Sequence, residues 1–178
     1  MKKISATLAA MLCCIVMTTT LTSCGDDNNN EPDEPAIVKC TYELTLWAGT
    51  GADDQQDIVK TTVTVPNYNG EETREFMSVY EEFSVKPSND FDAMPIAKTI
   101  TINQSLLENA DTVSKDSYKV GLHYKLVVTT LDGKNNVIDQ KMTETDNAMT
   151  VRKDRLGKLY PRTTTLKFSA DENGKVSL

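Results

Sequence analysis

Apolar and polar residues alternate with a period of two through most of the chain beyond residue 37. The segment 38–47, VKCTYELTLW, places every second residue from Val38 to Leu46 on an apolar face and Trp47 on the opposite face. The segment 117–130, SYKVGLHYKLVVTT, repeats this pattern from Tyr118 to Val128. This period is typical of β-strands that bury one face. Cys40, on the apolar face, is therefore expected to be a buried thiol.

The same alternation predicts further strands, and turn signals separate them. Asp132-Gly133 and Asn173-Gly174 each favour a hairpin. A change of phase between Phe76 and Met77 predicts a bulge in the third strand. The further predicted strands are 58–65, 74–86, 96–103, 137–145, 148–153, 163–170 and 175–178.

One short helical turn is predicted at 105–109, where Ser105 and Glu108 have the spacing of a capping box. With eight or nine strands and no alternation of strands and helices, the chain is predicted to be all-β. Two antiparallel sheets packed as a β-sandwich, immunoglobulin-like or transthyretin-like, fit this count, and the long link before residue 117 suits a crossing between sheets. A lipocalin-like β-barrel is the alternative. Residues 37–178 are expected to form this single domain.

The N-terminus has a different pattern. Lys2 and Lys3 precede an apolar run at 6–17, which is too short to span a membrane and has the length of a secretory signal. A few residues after this run, the segment 21–24, LTSC, resembles the lipobox of bacterial lipoproteins. The resemblance implies that residues 1–23 are a signal peptide, that Cys24 is acylated, and that its lipid chains hold the protein on a membrane.

The segment 24–36 carries five acids and no base, so it is predicted to be a flexible tether. Its GDDNNN stretch resembles the acidic export signal of surface-exposed lipoproteins of the Bacteroidetes. The resemblance implies that Asp26 and Asp27 direct the protein to the outer face of the outer membrane. The alternative is a plain spacer that leaves the domain in the periplasm.

Charge and motifs exclude several classes of function. The whole chain has a net charge of −7, and the domain has 17 basic and 21 acidic residues, which makes it a poor binder of nucleic acid. His123 is the one histidine and is expected to be an exposed strand residue. No nucleophile elbow, zinc-ligand pair or phosphate loop is present, so no enzyme activity, metal or cofactor is predicted.

Three features are candidates for binding or modification. Trp47 points away from the apolar face beside the loop that holds Asp53 and Asp54, and these residues could stack on and hydrogen-bond to a sugar. The basic residues Arg152, Lys153 and Arg155 could contact an anionic partner. Asp111-Thr112-Val113 resembles the acceptor motif of Bacteroidetes protein O-glycosylation, which implies modification of Thr112.

Two functions from different classes follow from these features. The first is an accessory surface lipoprotein that binds glycan or protein ligands, similar in placement to the lipoproteins of outer-membrane glycan-uptake systems. The second is a structural or assembly subunit of a fimbrial or envelope complex that joins its neighbours through an edge strand.

Overall fold

A computed structural model describes residues 38–76 and 83–178, and these residues form nine strands in two antiparallel sheets. The strands are β1 (Lys39–Ala48), β2 (Val59–Asn67), β3 (Gly70–Phe76), β4 (Phe83–Val85), β5 (Ile96–Leu106), β6 (Ser117–Leu131), β7 (Val137–Arg152), β8 (Arg162–Ala170) and β9 (Val176–Ser177). Two four-residue helices are present, α1 (Gln55–Ile58) and α2 (Leu156–Leu159), and a 3₁₀ turn, Lys153–Arg155, precedes α2. Within the described ranges no helix has the length and apolar character needed to cross a membrane.

The first sheet has the strand order β4-β1-β6-β7 and the second has the order β3-β2-β5-β8-β9. Within the described residues the two sheets stay separate and do not close into a barrel, so the predicted β-sandwich is confirmed. The link from β5 to β6 crosses from the second sheet to the first, as its length predicts.

The main core lies between the sheets and is built from the apolar faces that the alternation predicts. Tyr42, Leu44 and Leu46 of β1 are at most 1% exposed. Tyr42 joins the two sheets, since its hydroxyl donates to the Pro66 carbonyl at 2.7 Å and its ring lies 5.5 Å from that of Phe168. Full burial of a large apolar side chain such as Leu44 or Leu46 stabilises the fold by about 1.5–3 kcal/mol.

Cys40 is fully buried in this core, as predicted. Its backbone exchanges hydrogen bonds with that of Phe91, at 2.7 and 2.8 Å. Phe91 therefore extends the line of β4 along the free edge of β1, and its side chain enters the core. A second, smaller apolar cluster packs around α2, and its members are Ile58, Val59, Tyr118, Val120, Val151, Leu156 and Tyr160.

Two details of the predicted strands are wrong, and a third lies outside the described residues. The predicted strand 74–86 is two strands, because β3 belongs to the second sheet and β4 to the first. The predicted bulge between Phe76 and Met77 lies where the description ends, since residues 77–82 are outside the described residues. The segments 137–145 and 148–153 form the single strand β7, which runs to Arg152.

The helical turn predicted at 105–109 is also wrong. Ser105 and Leu106 continue β5 and pair with Lys60 and Val59 of β2. This ladder takes the backbone hydrogen bonds that a helix N-terminus would have used, and the capping spacing is overridden. Helices form instead at α1 and α2.

The strand β7 passes unusually close to two glycines. An ideal Cβ on Gly121 would lie 2.6 Å from the Ala148 Cα and closer still to the Asn147 carbonyl oxygen. A Cβ on Gly49 would lie 2.5 Å from the same oxygen. Only glycine permits this approach, and it brings β7 over the end of β1, where Trp47 lies.

Candidate functional site

Trp47 lies on the outer face of the first sheet, directly opposite His123 of β6. The two rings are in contact, with centroids 3.7 Å apart and planes inclined by 38°. Trp47 is half-buried, and the His123 side chain is only 13% exposed. The expectation of an exposed histidine is therefore wrong, because the Trp47 ring and neighbouring acids cover the imidazole.

Two carboxylates of β7 surround His123. Its Nε2 lies 2.7 Å from Glu144 Oε1, and its Nδ1 lies 3.7 Å from Asp146 Oδ2 without a hydrogen bond. Asp146 is held by Thr50, whose backbone N–H and hydroxyl donate to it at 2.9 and 2.5 Å. These bonds lower the pKa of Asp146, and the Thr50 hydroxyl has the largest effect. The cluster therefore ties the loop after β1 to β7.

Asp54 is used by the fold. Its carboxylate accepts the backbone N–H of Lys119 at 2.7 Å and also binds the Lys115 ammonium group. The Lys115 hydrogen bond, followed by that of the Lys119 amide, lowers the pKa of this carboxyl. Gln55 Oε1 accepts the Gly121 N–H at 2.9 Å in the same way. The pairing of β1 with β6 ends at Ala48 and Leu122. Beyond that point the Asp54 and Gln55 side chains accept the backbone N–H groups of β6 in place of a neighbouring strand.

Asp53 is more available, since its side chain is 71% exposed and its one ion pair is with Lys119 Nζ at 3.3 Å. The structure thus gives the three predicted sugar-binding residues different roles. Trp47 is stacked on His123, Asp54 is a buried structural acceptor, and Asp53 alone keeps an exposed carboxylate.

The predicted basic patch lies at the end of β7 and on the turn that follows. Asp154 is shared by Arg152 at 3.3 Å and Arg155 at 3.8 Å, and Lys153 lies 3.6 Å from Asp116. All three basic side chains are at least 48% exposed. The segment keeps an excess of positive charge at the surface, and its anionic partner stays a prediction.

Thr112 lies in the loop between β5 and β6, where a modification site is expected, and it is half-buried. Asp111 beside it accepts the N–H groups of Val113 and Ser114 at 3.1 and 2.9 Å, which forms a tight turn. Glycosylation of Thr112 stays a prediction. Cys24, Asp26 and Asp27 lie outside the described residues.

A groove that the sequence did not indicate lies at the opposite end of β1. We call it the aromatic groove; its volume is 310 Å³, and it is lined by Tyr68, Phe91, Asp92, Ala93, Ile96 and Lys98. Phe91 and Ile96 form apolar wall, and Tyr68 is 46% exposed. The Tyr68 hydroxyl lies 3.4 Å from Asp92 Oδ1, and Lys98 Nζ lies 4.9 Å from the centre of the Phe91 ring.

Asn67 holds the Tyr68 side of this groove in place. Its side-chain oxygen accepts the Tyr68 N–H at 2.9 Å and both the N–H and the hydroxyl of Ser88, at 3.0 and 2.7 Å. The turn between β2 and β3 is thereby joined to the segment that leads to Phe91. A groove with an aromatic ring, an acceptor and a cation on a fixed frame can bind a small polar ligand.

The Tyr68 position could have been noticed in the sequence, because an aromatic residue stands alone in the polar turn NYNG. Its partners Asp92 and Lys98 are distant in sequence, and no local pattern joins them to it. Within the described ranges no group of three or more His, Cys, Asp or Glu side chains could hold a metal ion.

No family model, curated protein or solved structure matches this chain.

Proposed function

We propose that this protein is an accessory binding module that holds a glycan in the aromatic groove. The observation that carries the proposal is the exposed ring of Tyr68 beside an acceptor, Asp92, and a donor, Lys98. Aromatic rings pack on the apolar face of a sugar ring, and charged groups hydrogen-bond to its hydroxyls. The groove volume of 310 Å³ lies at the lower end of the range for small-ligand sites, so it suits one or two rings.

This site differs from the one predicted at Trp47. The aromatic groove is not lined by Trp47, Asp53 or Asp54. Trp47 also has one ring face against His123, which leaves less of it for a ligand. The ligand class of the sequence-based hypothesis is kept, and its location is moved to Tyr68.

A glycan array probed with the full chain tests the proposal. Tyr68→Ala is expected to weaken the retained glycan about twofold to tenfold, since ring stacking contributes about 0.5–1.5 kcal/mol. Tyr68→Phe keeps the ring and should lose less. Trp47→Ala serves as the matched aromatic control. If Trp47→Ala removed binding and Tyr68→Ala did not, the site would lie at Trp47 and the groove assignment would be wrong.

We further propose that the lipid on Cys24 holds the module on the outer membrane, facing the cell exterior. The lipobox and the acidic segment after it support this placement. Cys24→Ala should move the protein out of the detergent fraction. Replacing Asp26 and Asp27 by Ala should keep lipidation but remove accessibility to protease on intact cells. Unchanged protease cleavage would reduce these acids to a spacer.

A second candidate function, assembly through an edge strand, is favoured by the surface of β7. This strand is an edge of the first sheet and has 16 residues. Four of the seven exposed large apolar side chains of the described residues lie on it: Val137, Ile138, Met142 and Met149. An exposed apolar edge can pair with another strand, here one from a second copy of the chain.

Sedimentation velocity distinguishes this second function. Met142→Lys should shift a dimer towards monomer, because a lysine on an edge strand opposes pairing with a neighbouring chain. Val113→Lys changes another exposed apolar residue (76% exposed, against 56% for Met142) away from the edge and is the control. A wild-type chain that stays monomeric at all accessible concentrations would refute pairing between copies.

A further inference from the structure

The ring of His123, the one histidine of the chain, lies where β1, β6 and β7 meet. Trp47 of β1 covers one face of the ring, with centroids 3.7 Å apart, and Glu144 and Asp146 of β7 stand at its edge. Trp47 is near the end of β1, whereas Phe91 of the aromatic groove pairs near its start. The cluster around His123 is therefore separate from the proposed glycan site.

Both nitrogens of the ring face carboxylates. Nε2 lies 2.7 Å from Glu144 Oε1, and an ionised carboxylate only accepts hydrogen bonds, so Nε2 carries the proton of the neutral ring. Nδ1 is then an acceptor. It is buried, has no hydrogen-bond partner among the described residues, and lies 3.7 Å from Asp146 Oδ2, which is a second acceptor. The neutral imidazole thus leaves a buried polar atom unsatisfied, which is unfavourable.

A second proton on the ring would satisfy both nitrogens. The imidazolium ring donates from Nδ1 as well as from Nε2, and a carboxylate oxygen such as Asp146 Oδ2 can accept more than one hydrogen bond. Closing the distance from 3.7 Å to the usual length of about 2.9 Å takes a shift of about 0.8 Å. The positive ring would also lie on the face of an indole, the aromatic system that attracts cations most strongly.

The charged groups on the elements around the ring are mainly acidic. Lys125 lies two residues along β6 on the same face and stands directly opposite Glu144. Trp47, the neighbour of the ring on β1, is uncharged, and on the loop after β1 Asp53 pairs with Lys119. The described elements thus place two carboxylates against the ring and one lysine beside Glu144.

Asp146 already connects β7 to the loop after β1. Its carboxylate accepts the backbone N–H and the hydroxyl of Thr50, at 2.9 and 2.5 Å. A hydrogen bond from His123 Nδ1 to the same carboxylate would fix it between the loop and β6. Protonation of the ring therefore adds a connection between β6, β7 and this loop.

We propose that His123 is a pH-sensitive clamp on the loop 49–54. At the acid end of the range in which imidazoles change charge, about pH 5–8, the imidazolium ring binds Glu144 and Asp146 together and fastens the loop to the first sheet. At the alkaline end Nδ1 releases Asp146, and the carboxylate is left with Thr50.

Trp47 reports the charge of the ring, because it is the one tryptophan of the chain and touches the imidazole. Its emission in the full chain should change between about pH 8 and about pH 5 and follow the curve of a single proton. His123→Gln keeps a polar side chain that does not titrate, and its emission should stay constant over this range. Ordinary carboxyl groups titrate near pH 4 and contribute little here.

Hydrogen exchange of the Thr50 amide, followed by nuclear magnetic resonance, measures the fastening of the loop. Its protection factor should be about tenfold higher at the acid end than at the alkaline end, which is the lower end of what a hydrogen bond between charged groups contributes. The Val176 amide is the internal control, since it also donates to a carboxylate, that of Asp139, at 3.0 Å. Its protection factor should not change.

Asp146→Asn separates protonation of the ring from fastening of the loop. The asparagine oxygen can still accept from Thr50 but has no charge for the imidazolium ring. The change in Trp47 emission should remain in this variant, and the change in Thr50 protection should be lost. A purely structural role of His123 would alter Thr50 protection in His123→Gln by the same factor at both ends of the pH range.

Two results would overturn the clamp. The first is an emission that stays constant in the wild type or changes equally in His123→Gln. The second is a Thr50 protection factor that does not depend on pH although the emission does, because the ring would then take up its proton without fastening the loop. Neither result bears on glycan binding through Tyr68, which is tested separately.

Discussion

Replacement of Gly121 by alanine should be one of the most damaging small changes in this domain. The added Cβ would lie 2.6 Å from the Ala148 Cα, whereas real Cβ atoms essentially never approach other atoms below 3.0 Å. Carbon atoms pack best at about 3.5–4.0 Å, so β7 would have to move by about 1 Å. The atoms that the new Cβ would meet belong to the backbone of Asn147 and Ala148, so no side chain can rotate away to relieve the contact.

The loss in the free energy of unfolding can be estimated from overpacking substitutions in other protein cores, which cost about 1–3 kcal/mol. We expect about 3 kcal/mol, because moving β7 also disturbs the two hydrogen bonds from Thr50 to Asp146. For a domain of this size that corresponds to a fall in Tm of about 10 °C. Urea unfolding followed by far-ultraviolet circular dichroism gives the free energy directly.

Two other glycines provide an internal scale. The Asn147 oxygen lies 2.5 Å from a Cβ on Gly49 but closer still to a Cβ on Gly121, so Gly49→Ala should be destabilising but less so. Gly157 in α2 has nothing within 4 Å of its Cβ position, and Gly157→Ala should be neutral or stabilising by up to about 1 kcal/mol. If Gly121→Ala unfolded within 0.5 kcal/mol of the wild type, the close crossing of β7 would be refuted.

Two further predictions concern buried groups. Asp54→Ala should lower the free energy of unfolding by about 2 kcal/mol through loss of the Lys119 amide and Lys115 bonds, whereas Asp53→Ala, at an exposed position, should change it little. Because folding lowers the pKa of Asp54, its contribution to stability is complete above the ordinary carboxyl pKa and is lost as the pH falls through the lowered value. The difference in stability between the wild type and Asp54→Ala should therefore shrink below about pH 4. A difference that grew at low pH would contradict this reasoning. Burial, with a smaller effect of Asp90, raises the pKa of Cys40 to about 11, so peptide mapping after iodoacetamide treatment at pH 8 should show Cys40 alkylated only in the unfolded chain, and rapid native alkylation would refute its burial.

The strands could be predicted because their signal is local. The alternation from Val38 to Leu46 records which face is buried, and that face is at most 9% exposed. The strand predicted over 74–86 failed because its two ends belong to different sheets, and a local pattern does not reveal which sheet a strand joins. The capping spacing at Ser105 failed because pairing with Lys60 decides the backbone conformation there.

The candidate sites also divide into what local alternation predicts and what depends on contacts between distant segments. Trp47 was correctly placed off the core face, since alternation alone determines that. Its contact with His123 depends on which strands are neighbours, and Asp54 binds Lys115 and Lys119, which are more than 60 residues away along the chain. No local pattern could show that its carboxylate was already used.

Local composition and period therefore determine the strands, their buried faces, the resemblance of the leader to a lipoprotein signal and the sandwich class. Strand order and register are established only in the packed sheets, and they decide which side chains of different strands become neighbours. The aromatic groove joins Tyr68 to Asp92 and Lys98 in this way. The physical reason is that burial of a face is a property of one strand, whereas a binding surface requires side chains from several strands whose neighbours are chosen by the energy of the whole core.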